Sequence, residues 1–276
     1  MDPVNVITIA RKEIRDSLRN RWFLLYSIAF AALALSLSWM SLAGSGSYGL
    51  AGFGRTAAGL VNLVLLIVPL MALTVGAGSL AGDAERGTLA YLLSQPVNRG
   101  EVLLGKYVGL ATALMASLAL GFGGSGFVLA ANGSGGAVAG YAMLVLLAFV
   151  LALGMLSLGF LISVLVRKAS VALGAAVFVW LALAFLTDLG LMGSTVAFKL
   201  NVSELFGLAL VNPLQVFKMA VLGSVHASLD VLGPAGFYAT QTFGNALGFL
   251  FAASLTAWVV VPYAAANVIF LRRGEG

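Results

Sequence analysis

Six stretches of this chain run for 19 residues or more without one charged side chain, near 22–43, 56–82, 107–131, 137–166, 169–187 and 243–271. A helix rising ~1.5 Å per residue needs about 20 apolar residues to cross the ~30 Å hydrocarbon core of a bilayer. Each stretch therefore predicts one membrane-spanning helix, and the longer ones must tilt, kink or project beyond the hydrocarbon. No water-soluble globule hides such runs in a chain that is 61% hydrophobic and only 9% charged. The expected class is an all-α integral membrane protein with six transmembrane helices, a single domain over residues 1–276 in a lipid bilayer.

The first run has a basic leader, and Ser41-Leu42-Ala43 imitates a cleavage site. At 22 residues, however, Trp22 to Ala43 exceeds the roughly 7 to 15 of a signal core, so it reads as a retained span. With six crossings, Arg11, Lys12, Arg15, Arg19, Arg21, Arg86, Arg99, Lys106, Arg167, Lys168, Arg272 and Arg273 fall on one side, and Arg55, Lys199 and Lys218 on the other. Twelve cations against three make the richer side cytoplasmic and put both termini there. The net charge of +5 is thus spent on topology; no aromatic-interleaved basic tract offers itself to nucleic acid.

Residues 188–242 form an extracytoplasmic segment between spans five and six. Phe206 to Gly223 is apolar enough to imitate a seventh crossing, but it contains Pro213, Gln215 and Lys218 and would turn Arg272 and Arg273 outward. Asn212-Pro213-Leu214-Gln215 reads instead as a helix start, with asparagine as cap and proline first. The segment is expected to hold short helices on or dipping into the outer leaflet.

None of the six runs contains an ionisable residue, whereas ion-coupled carriers keep one near mid-membrane. Energy is therefore expected from elsewhere. There is no cysteine for thiolate chemistry, and no paired acid or histidine cluster in the spans. Seven methionines besides Met1 are scattered as gap-fillers, and His226 with Asp230 makes only two ligands, so no metal set stands out.

What polar chemistry there is concentrates between spans two and three, where residues 82–106 carry six of the chain's 25 charges. This stretch predicts two short amphipathic helices around Ser94-Gln95-Pro96, with Asp83 and Glu85 near the start of the first and Pro96 ending it. Asn98 and Glu101 form a capping box for the second, which runs on into span three. Leu89, Leu92 and Leu93 share one helix face suited to a partner's groove. Gly100 to Lys106 imitates a phosphate-binding loop, but Tyr107 stands where a serine or threonine is required and Glu101 would oppose phosphate. Gly78/Gly82, Gly105/Gly109, Gly136/Gly140 and Gly244/Gly248 have the small-xxx-small spacing of close helix packing.

Glu85-Arg86-Gly87-Thr88-Leu89, then Leu92-Leu93, Pro96-Val97, Arg99 and Leu104-Gly105-Lys106, resembles the ordered pattern of ABC-2-type permeases. Ala10 to Asp16 with Leu18 to Arg21 resembles that family's amphipathic helix before the first span, here within residues 1–21. The resemblance implies an ABC-2 exporter-like (type V) half-transporter of the bacterial inner membrane, working as a homodimer. Residues 83–101 would couple it to a separate ABC ATPase through Glu85, Arg86, Thr88, Leu89, Leu92, Leu93 and Pro96. ATP and magnesium would sit in that ATPase, leaving this subunit without a cofactor or catalytic site of its own.

Within the family, these segments and Asn212 to Met219 resemble permeases that serve maturation of nitrous-oxide reductase. That implies assembly of a copper centre, by moving a sulfur species or copper or by transmitting conformational work, with a periplasmic copper-handling partner. Asp188, Glu204, Lys218, His226 and Asp230 are the candidate contacts for it. An ABC-2 exporter of lipid, glycan or drug and a non-transporting scaffold are the alternatives.

Overall fold

The structure is a computed structural model that describes residues 2–43, 50–131, 138–186, 201–224 and 234–272; among these every regular element is helical. Helix α1 (Pro3–Arg19) begins where sequence chemistry demands, with the Asp2 carboxylate accepting the Val4 N–H at 2.9 Å and proline at the first helical position. It ends at Asn20, whose extended backbone breaks the helix while its Oδ1 accepts the Trp22 N–H at 3.0 Å and so starts α2 (Arg21–Ala43). One residue thus closes an amphipathic helix and opens a span.

Helix α3 (Leu50–Glu85), α5 (Arg99–Ala131) and α6 (Val138–Leu165) are long, and the short α4 (Thr88–Leu93) lies between the first two. At 36 and 33 residues, α3 and α5 span ~50 Å each, so their ends project beyond a ~30 Å hydrocarbon layer. Helix α7 (Ala169–Leu181) continues through a π-helical turn over Ala182–Leu186. After it come α8 (Val202–Val211), α9 (Pro213–Ser224), α10 (Pro234–Phe243) and α11 (Leu247–Arg272).

Lipid gives apolar helices no reason to associate by burial alone, so backbone approach and interhelical hydrogen bonds must do so. The most extensive pair, α3 with α6, meets at Gly76 and Gly159. A Cβ on Gly76 would lie 2.8 Å from the Leu156 carbonyl oxygen, and one on Gly159 2.7 Å from that of Leu73, so only glycine fits. The Ser163 hydroxyl of α6 accepts the α3 N–H groups of Leu80 and Ala81 at 2.9 and 2.8 Å. Helices α2 and α5 are joined by Ser117 donating to Ser27 at 2.7 Å and by the buried pair Ser38 and Ser125. Tyr107 of α5 donates to the Leu153 carbonyl of α6 at 3.1 Å and stacks obliquely on Tyr263 of α11.

Helix ends gather at one pole. Glu101 at the start of α5 meets Asp2, Glu85 at the end of α3 meets Ala169 at the start of α7, and Arg99 meets Phe270 at the end of α11. Helix α7 therefore leaves this pole and α11 returns to it, which makes α7 the fifth crossing and α11 the sixth. By length alone α2, α3, α5, α6 and α11 qualify as spans, while the apolar helix Ala169–Phe185 is shorter.

Between those crossings, α8 and α9 are bent by 108° at Asn212. The predicted cap is present: Asn212 Oδ1 accepts the Leu214 N–H at 2.8 Å, and Pro213 is the first residue of α9. The bend frees the last carbonyls of α8, and α11 takes them, Ser254 donating to Leu210 at 2.9 Å and Trp258 Nε1 to Val211 at 3.1 Å. Asn212 Nδ2 donates to the Leu183 carbonyl in the π-helical turn at 2.6 Å. Leu183 and Trp258 each lie 14 residues, or ~21 Å, from the charged ends of their helices. The apex of the pair thus lies ~21 Å from the charged pole along both neighbours, a depth that falls within a ~30 Å hydrocarbon layer. Irregular backbone at that depth is tolerated because protein groups satisfy it.

Candidate functional site

The polar stretch between α3 and α5 folds into an elbow at the charged pole. Its first turn differs from the sequence expectation, since Asp83 and Glu85 lie in the last turn of α3 and not at the start of α4. The reason is Gly87, at φ +74°, a left-handed conformation that closes α3 as the Arg86 and Gly87 N–H groups bond back to Gly82 and Ala84. Carboxylates at a helix C-terminus oppose its dipole and need cations or donors. Asp83 receives the Lys106 ammonium at 2.6 Å, the Arg86 guanidinium at 3.0 Å and the Thr88 hydroxyl at 3.0 Å. Glu85 accepts the Ala169 N–H at 2.7 Å and so caps α7, where Lys168 supplies no side-chain cap.

Helix α4 buries none of its six residues fully. Leu89 packs against the bundle, Leu92 and Leu93 are half-buried, and Tyr91 is 73% exposed. The chain then turns through Ser94 and Gln95, with Pro96 exposed at the tip. The expected capping contact is made by Glu101, which accepts the Asn98 N–H at 3.1 Å, and α5 runs unbroken into the third span. The same carboxylate accepts the Asp2 N–H at 2.7 Å and Asn5 Nδ2 at 3.0 Å, pinning α1 to the start of α5.

Sequence reasoning missed what lies above this elbow. Lys106, only 1% exposed, sits 2.6 Å from Asp83 of α3 and 2.6 Å from Glu13 of α1, themselves 8% and 7% exposed. Three helices converge on one ammonium. Gly105 and Gly109 make that convergence possible: a Cβ on Gly109 would lie 2.6 Å from the Ala10 carbonyl oxygen, so this small-xxx-small pair packs α1 within the chain. The only trace in the sequence was that Asp83 and Lys106 lie immediately outside apolar runs. Around the cluster, Lys12 pairs with Asp16 at 3.2 Å. Burial works against the Lys12 ammonium, but Glu13 and Asp16, with a smaller contribution from Asp83, more than offset it and hold its pKa above the ordinary value. The resemblance of Gly100 to Lys106 to a phosphate loop dissolves here, because the segment is helical and its lysine is held by two carboxylates.

Beside the cluster a cavity of ≈ 470 Å³ opens between α1, α2, α3 and α7. Its charged end carries Lys12, Asp16, Asp83 and Arg86, and its apolar wall Tyr26, Val75, Leu173 and Val177. Ser79 also lines it, with a buried hydroxyl that has no hydrogen-bond partner.

Among the residues expected to meet an external partner, Asp188, His226 and Asp230 lie outside the described residues. Glu204 completes a capping box by accepting the Asn201 N–H at 3.0 Å, and Lys218 is half-exposed between the buried residues 213–217 and 219–221 of α9.

A bundle of apolar crossings with its polar groups gathered into an elbow at one pole defines a multi-pass membrane protein. The family model described as ABC-2 family transporter protein matches residues 7–274, and the chain belongs to this family. It is similar to the probable ABC transporter permease protein NosY of Stutzerimonas stutzeri, 32% identical over 97% of this chain and 98% of that protein. The protein of the same name from Pseudomonas aeruginosa is also 32% identical, over 81% of this chain and 83% of its own length. The chain is an ABC transporter permease.

Proposed function

We propose that this permease works as a homodimer in the bacterial inner membrane, driven by a separate ABC ATPase docking on α4, and that the assembly serves the copper centre of nitrous-oxide reductase. The observation that carries the coupling role is the elbow itself: a six-residue helix presenting exposed Tyr91 and half-buried Leu92 and Leu93 from a turn tied to α3, α5 and α7. Such a helix docks its apolar side chains into a groove of a partner. The cations gathered at the same pole support a cytoplasmic position for it by the positive-inside rule, beside the ATP-hydrolysing subunit. ATP and magnesium act there; closure of paired ATPases pushes α4, and the attached helices tilt as rigid bodies.

The nitrous-oxide reductase role rests on similarity to NosY over nearly the full chain. In it the segment between spans five and six meets a periplasmic copper-handling partner, and the assembly passes a sulfur species, copper or conformational work across the membrane. Leu92→Asp with Leu93→Asp is expected to remove ATPase co-purification while the permease still inserts; undiminished association would overturn the docking assignment. Deleting the permease is expected to yield nitrous-oxide reductase lacking its copper centre, and a fully loaded enzyme would refute the role.

One observation favours a second reading. The cavity beside α2 and α7 pairs a charged mouth with an apolar wall, as an exporter of an amphiphile requires. ATP-dependent transfer of a labelled phospholipid in reconstituted vesicles would establish that reading instead.

A further inference from the structure

The buried cluster of Lys106, Glu13 and Asp83 offers a docking partner almost no surface, since the three residues are 1%, 7% and 8% exposed. Burying charges is costly, and well-packed apolar residues commonly replace a buried ion group without loss of stability. What the ionic arrangement supplies that an apolar one does not is fixed, directional attachment. Lys106 reaches two carboxylates at 2.6 Å, one on α1 and one at the end of α3. Asp83 in turn holds Arg86 and Thr88, the two residues that flank Gly87 at the entrance to α4. An unbroken chain of bonds therefore runs from the elbow through Asp83 and Lys106 to Glu13.

We propose that Lys106 is a positioning residue for energy coupling, clamping α1, the end of α3 and the start of α5 into one body that moves with α4. The inference rests on the coupling role argued above. Without the clamp, the end of α3 and the start of α5 on either side of α4 lose their direct ionic link, and a push on α4 bends the elbow before it tilts a span. With it, the same push reaches α3 and α5 together, and α2 through α1. Force then appears at the far ends of the spans as a displacement of α5 relative to α11.

The chain has no cysteine, so paired spin labels at Phe127→Cys on α5 and Phe249→Cys on α11, both exposed, read that displacement in the complex with a cysteine-free ATPase. Asp83→Asn removes the charge joining α3 to Lys106, keeps an acceptor for Arg86 and Thr88, and leaves Lys106 balanced by Glu13. Glu13→Gln does the same for α1. Each variant is expected to retain ATPase association and its thermal unfolding midpoint, while the ATP-driven change in label distance falls at least about twofold. Asp83→Glu, which keeps the charge, is expected to retain the wild-type change. Assembled Asp83→Asn and Glu13→Gln complexes that both move as wild type would overturn the clamp. Loss of ATPase association in these variants would also overturn it, by showing that the cluster serves docking. A wild-type complex with no ATP-dependent change would instead sink the coupling reading on which the clamp depends.

Discussion

Gly87 shows how much one residue decides here. Its φ of +74° suits a residue without Cβ, and any L side chain there pays for a left-handed backbone. Gly87→Ala is expected to cost ~1 kcal/mol and lower the thermal unfolding midpoint of the detergent-solubilised permease. The Thr88 hydroxyl donates to Asp83; Thr88→Ser is expected to preserve ATPase association and Thr88→Val to weaken it, read by co-purification. Gly109 is constrained by approach instead, since a Cβ would strike the Ala10 backbone. Gly109→Leu is expected to displace α1 and speed tryptic cleavage after Arg11 and Arg15. Glycine, threonine and glutamate were legible in the sequence as a motif, but their physical reasons were not. Glu85, expected from the motif to contact a partner, is exposed and also caps α7 with its carboxylate.

At the scale of elements, the α8–α9 pair shows what a broken helix requires in lipid. A break at Asn212-Pro213 leaves carbonyl oxygens that water cannot reach, so the neighbouring α11 must carry donors at matching height. Ser254 and Trp258, one turn apart on α11, are those donors. Trp258→Phe with Ser254→Ala is expected to cost about 1 kcal/mol per lost bond, seen as a lowered unfolding midpoint with the number of crossings unchanged. The helix start at Asn212 was legible because cap chemistry is local. The π-helical turn of α7 that receives the Asn212 amide was not, since nothing in residues 182–186 alone asks for it.

Across the whole molecule, the six crossings rest on two independent supports, the lengths of the apolar runs and the contacts that bring α1, α3, α5, α7 and α11 to one pole. Single cysteines are expected to sort accordingly. Tyr91→Cys should react with a membrane-impermeant maleimide only from the cytoplasmic side, and Ser203→Cys only from the other. Labelling of both from one side would refute this topology.

The sequence by itself determined that the chain spans a membrane as helices, because hydrocarbon thickness imposes a minimum apolar length and leaves no room for unpaired backbone. It also located the polar stretch that breaks the pattern, since charge is expelled from lipid wherever no partner holds it. Only the tertiary structure decided that Glu13, Asp83 and Lys106 share one site, because ion pairs join residues 93 and 23 positions apart that no local periodicity links. It likewise decided how the bend between α8 and α9 is satisfied: a proline-capped break frees polar groups that local sequence cannot pair, and Ser254 and Trp258 on α11 and the Leu183 carbonyl of α7 take them.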